Sequence, residues 1–123
     1  MSKDVAAGDL AAVMLAIDRQ IPAVWMVRTF LKHADESQED EDVRGIVRDL
    51  YDFILAVGAV EDGTDPAAYV KSAKKKFSKL RKATEFYEQI QPEVSGHTNF
   101  EMAAKSLRVA VDRIADVIAN SRR

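Results

Sequence analysis

A chain of 123 residues with 47% apolar and 31% charged residues can bury roughly two thirds of its unfolded surface in one core, so a single domain spanning 1–123 is expected. Its formal net charge of −2 gives no global pull toward nucleic acid or an anionic membrane, and any electrostatic function has to come from local clusters. The lack of cysteine excludes a disulfide framework and thiolate metal ligands and suits a reducing cytoplasm, leaving two histidines as strong transition-metal donors.

The first apolar run, residues 10–17, is flanked by Asp9 and Asp18 and preceded by Lys3 offset by Asp4, which makes a poor secretory signal. No uninterrupted apolar run approaches the roughly 20 residues of a membrane span, so no membrane partner is expected. A helix is predicted to start after Gly8 with Asp9 as its cap and Leu10, Val13, Met14 and Ile17 inside; residues 1–8 are expected to be a flexible end. The same stripe continues through Ile21, Val24, Arg28 and Leu31, but Pro22 cannot donate to the carbonyl of Asp18 and restricts Ile21. The first helix is therefore expected to be kinked or split at Pro22, which would open a second piece ending near Ala34.

That second piece carries consecutive apolar residues from Ala23 to Val27, more than one core contact requires. Central packing explains the excess. So does a partner surface built on Trp25, Met26 and Phe30, residue types enriched at interface centres. Residues 35–42 hold six carboxylates and no apolar residue. They read as a connection with Ser37 as the next N-cap and acids favouring the positive end of the helix that follows. The run lacks the glycine hinge and spaced ligands of a calcium loop, and no metal or cofactor is expected.

Residues 43–60 form the clearest amphipathic helix. Val43, Ile46, Leu50, Phe53, Val57 and Val60 fall at heptad positions a and d, with Val47 and Ile54 beside them at e. Arg48 and Asp52 are spaced for an exposed i,i+4 ion pair, and Gly45 lies off the stripe, where a close helix crossing would explain it. Asp65 and Pro66 open a third helix of about 25 residues ending at Pro92, with Val70, Ala73, Phe77, Leu80, Thr84 and Tyr87 inside. A capping box of Thr98 and Glu101 opens the fourth, whose stripe is Phe100, Ala103, Ala104, Leu107, Ala110, Val111, Ile114, Val117 and Ile118; residues 121–123 are expected to fray. Matching stripes and short connections predict an all-α, up-and-down antiparallel four-helix bundle.

Function is less strongly written. The stripes are almost wholly apolar, with no phosphate loop, nucleophile elbow or bundle metal motif, which favours a noncatalytic interaction or regulatory module that self-associates, its partner a second copy or another helical protein. The alternative is nucleic-acid binding by the basic face of the third helix. Lys71, Lys74, Lys75, Lys76, Lys79, Arg81 and Lys82 stand there without an intervening acid, although no aromatic residue projects among them to stack on bases. A third reading comes from Arg28 and His33, four residues apart in between, a spacing that resembles the Arg-x4-6-His motif of HEPN-type helical ribonucleases. The resemblance covers six residues and lies in the first half of the chain, and Thr29 stands where that family has a polar residue. It implies that Arg28 and His33 would handle a scissile phosphate without a metal.

Overall fold

Capping residues and two prolines determine where the helices start and stop. The computed structural model describes residues 7–121. It contains α1 (Ala7–Asp18), α2 (Ile21–His33), a 3-10 turn (Asp35–Ser37), α3 (Glu41–Val57), α4 (Pro66–Val94) and α5 (Thr98–Asn120), and no strand among the described residues. The protein is all-helical.

The first rod is interrupted, but not at Pro22. The break falls at Arg19 and Gln20, where the Gln20 amide closes a tightened turn on the Ile17 carbonyl at 2.9 Å. Pro22 is the second residue of α2, in the first turn, where a missing amide costs nothing. Because the ring disfavours helical geometry at the residue before it, the preceding helix ends upstream instead of bending at the proline. At its other end α1 begins at Ala7, so residues 7 and 8 are helical and Asp9 lies in the first turn and is not the cap. The rest of the expected flexible N-terminus, 1–6, lies outside the described residues, as do 122–123. Ser121, expected to fray, is buried, and its hydroxyl donates to the Ile118 carbonyl at 2.8 Å.

Four other boundaries differ from the sequence expectation. Ser37 is buried inside the 3-10 turn, and Asp40 is the N-cap of α3, its carboxylate accepting from the amides of Asp42 at 3.0 Å and Val43 at 3.1 Å. A charged acceptor forms the stronger cap bond. α3 stops at Val57, before Val60, because Gly58 takes φ 73° and turns the chain away; Val60 still packs against the core from the loop. α4 runs 29 residues and passes through Pro92, which sits in its last turn at the surface, where only the Glu88 carbonyl loses a partner. The start of α5 is capped by His97, whose Nδ1 accepts from the Asn99 amide at 3.0 Å, and not by Thr98.

The buried residues form one cluster drawn from all five helices. Val43, Ile46, Leu50, Phe53 and Val57 of α3 are all inside, as are Phe100, Leu107, Val111 and Ile114 of α5. Thr84 is tolerated among them because its hydroxyl donates to the Leu80 carbonyl at 2.9 Å. α3 lies between α2 and α4, α5 packs on α4 and α2, and α1 lies on α4 and α5. Specific polar links cross these seams. Lys79 reaches Asp49 at 3.5 Å and Asp52 at 3.4 Å, so Asp52 pairs with α4 and not with Arg48. Arg108 grips both oxygens of Glu88, at 2.9 and 2.6 Å. The Tyr69 hydroxyl donates to Asp18 at 3.2 Å, and Tyr87 donates to the Phe100 carbonyl at 2.9 Å.

Candidate functional site

The seam between α2 and α3 collects the features that the core does not absorb. Val24, Val27 and Leu31 point α2 into the core, which turns Trp25 and Met26 outward. They are 41% and 64% exposed, and Leu55 on the adjoining helix is 59% exposed. Other large apolar side chains are also bare, Leu15, Phe86, Met102 and Val109, but they are dispersed over α1, α4 and α5. Phe30 is partly buried and meets Phe100 edge-on at 4.9 Å, so it braces α2 against α5.

Arg28 neither escapes to solvent nor pairs with Asp18. Its guanidinium lies over Tyr51 at 4.6 Å and over Trp25 at 4.8 Å, and these two rings are 6.4 Å apart. The apolar faces of both rings attract the cation electrostatically. Its Nη1 is 3.5 Å from the Thr29 hydroxyl, while the buried Nε has no hydrogen-bond partner. This stack divides the seam into two concavities. One, of about 500 Å³, lies beside Ile21, Pro22, Ile54 and Leu55. The other, of about 350 Å³, lies toward the 3-10 turn, with Leu31, Val43 and Val47 in its lining and Arg28, Lys32, Arg44 and Arg48 around it.

Arg28 and His33 do not share a site. Arg28 lines the α2/α3 concavity, whereas His33 lines a shallow depression at the other side of α2 together with His97, Asp35 and Glu36. Among the described residues no three His, Asp or Glu side chains gather so as to hold a metal ion. Strong titration shifts belong to structural contacts. Burial, with Asp18 alongside, raises Tyr69; burial pushes Tyr87 up to about 12; hydrogen bonds that Arg108 donates to Glu88 and then to Asp112 raise Arg108.

On α4, Lys71, Lys74, Lys75, Lys76, Lys79, Arg81 and Lys82 are all exposed, and among the described residues only Lys79 of this set forms an ion pair. The stretch Asp9–His33 is long and apolar enough to cross a membrane by length and composition, its most apolar 18 residues having a mean hydropathy of 1.5. Counting uninterrupted apolar runs missed it. Here it is divided at Arg19 and Gln20, and Met14, Ile17, Val24 and Val27 are in the core. Comparison with known proteins finds no matching family model, no matching curated protein and no matching solved structure.

Proposed function

We propose that the chain is a noncatalytic interaction module of the cytoplasm, an up-and-down antiparallel four-helix bundle in which α1 and α2 together make the first rod, and that it self-associates through the outer face of α2. The observation that carries this reading is the exposure of Trp25 and Met26, adjacent on one helix, with Leu55 also exposed on the helix packed beside it, in a chain whose other core-type side chains are mostly hidden. Clusters of this kind mark association surfaces, and Trp and Met are enriched at their centres. Phe30 holds the helix in place from behind through Phe100.

Sedimentation velocity at tens of micromolar is expected to show a dimer. Met26→Asp is expected to return it to monomer, with a melting temperature that no longer rises with protein concentration, since Met26 is 64% exposed within one chain. A purely monomeric parent protein would end the reading.

A second reading rests on the α4 cations that lack acid partners among the described residues, Lys71, Lys74, Lys75 and Lys82. If they contact phosphates, binding to single- or double-stranded nucleic acid falls steeply with salt, and Lys74→Glu with Lys75→Glu abolishes it. No mobility shift at low salt excludes it.

A further inference from the structure

We propose that the concavity between the later turns of α2 and the first turns of α3 binds a small phosphomonoester carried on an apolar organic body. Its accessible apolar lining is the partly exposed Val47 and the Tyr51 ring, backed by Leu31 and Val43, which are fully covered. Its volume of about 350 Å³ lies in the range of ligand clefts, roughly 300–1,000 Å³. Around that lining stand four cations, Arg28, Lys32, Arg44 and Arg48, and no carboxylate lines the cavity. Among the described residues Glu41 is the one acid within ion-pair distance of this set, 4.0 Å from Arg44, with its own side chain 90% exposed. So strong a local positive field is unusual in a chain whose net charge is −2.

A second observation points the same way. Two buried polar atoms at the margin of the cavity have no partner, Nε of Arg28 and Oγ of Ser37, and Ser37 is only 2% exposed. Both can donate, and leaving a buried donor unpaired is costly. Both residues line the cavity, so an anion seated there can offer an acceptor to either. A phosphomonoester carries about −1.5 to −2 charges near neutral pH and offers three oxygens that match guanidinium forks. A lone carboxylate would answer only one of four cations. Inorganic phosphate would leave the partly exposed Val47 and Tyr51 ring uncovered, which is why the ester must carry an apolar group.

Trp25 is the only tryptophan in the chain, and its ring is 4.8 Å from the Arg28 guanidinium, so its emission reports on any ligand that draws Arg28 toward the cavity. Titration of the full chain with phenyl phosphate, followed by tryptophan emission and by calorimetry, is expected to be saturable and to weaken as salt is added. Inorganic phosphate is expected to bind at least about tenfold more weakly, and benzyl alcohol not at all. Arg48→Glu, at an exposed position, is expected to weaken the ester at least about tenfold with the melting temperature unchanged, the loss of one charge-assisted contact being on that scale. Ser37→Ala is expected to weaken it by about tenfold without lowering stability, since its hydroxyl has no partner in the free protein. The proposal is overturned if phenyl phosphate gives no saturable signal, if benzyl alcohol or inorganic phosphate binds equally well, or if both variants keep the parent affinity. Self-association is read separately by sedimentation, and neither result decides the other.

Discussion

Replacing Tyr87 by Phe separates two effects that one hydroxyl exerts at different pH. The ring is wholly buried, and its hydroxyl ties α4 to the first turn of α5 through the Phe100 carbonyl at 2.9 Å. Near neutral pH the substitution removes one buried hydrogen bond and keeps the packing, a cost of about 1 kcal/mol. In alkali the sign reverses. Burial pushes Tyr87 from its ordinary 10.0 up to about 12, so the unfolded chain gives up this proton first. Between about pH 10 and about pH 12 the unfolded state then holds fewer protons than the folded one, and stability falls as pH rises. At about 1.4 kcal/mol for each unit, a shift of about two units takes away about 2.7 kcal/mol. Tyr87→Phe has no such proton to lose.

The deficit of the variant should accordingly shrink above about pH 10, vanish near about pH 11 and become an advantage by about pH 12. Urea unfolding of both proteins, followed by far-ultraviolet circular dichroism across this range, measures the difference directly. Every other group is common to both proteins and cancels in the difference. A difference that stays constant from neutral pH into alkali would refute the reasoning, because it would mean that the Tyr87 hydroxyl ionises equally easily folded and unfolded.

Gly45 lies in the interior of α3, and a Cβ built there meets nothing within 4 Å, so no close helix crossing accounts for the glycine. Gly45→Ala should stabilise the protein by about 0.5–1 kcal/mol in urea unfolding, through helix propensity and a less free unfolded chain; a loss of stability would reveal crowding in α3 or on its neighbours. Arg108 and Glu88 are each about one third exposed, at 33% and 34% of their side chains, so solvent screens their bidentate contact. A double-mutant cycle with Arg108→Met and Glu88→Gln should give a coupling of about 0.5–1 kcal/mol, diminished at high salt, and a coupling indistinguishable from zero would mean that the pair adds geometry but no stability.

Apolar periodicity was readable because it records burial directly: the a and d residues of α3 from Val43 to Val57 lie in the core, and so do Phe100, Ala103, Leu107, Ala110, Ile114 and Ile118 of α5, with Val117 partly buried beside them. Boundaries were less readable, since Ser37 and Asp40, or His97 and Thr98, are competing caps a few residues apart, and the incoming chain direction decides between them. The break in the first rod was foreseen from Pro22 but displaced to Arg19 and Gln20, because proline acts on the residue before it and tolerates a first turn.

The candidate site was legible only on the side that one helix determines. Trp25 and Met26 stood out as apolar residues in excess of what a single buried face needs, and both are exposed. The fate of Arg28 depended on Tyr51, which arrives from another helix. The cation cluster was obscured further, because Arg28 and Lys32 are separated from Arg44 and Arg48 by the acidic stretch 35–42, and read linearly the region averages to negative. Helical periodicity undoes that average. Residues four apart share a face, so Arg28 with Lys32 and Arg44 with Arg48 each present paired positive charge on one side of a helix, and packing α2 against α3 brings the two pairs around one cavity while the intervening acids are carried past its end. Net charge along a segment therefore says little about the field at a point. What decides it is which turns of which helices face the same space.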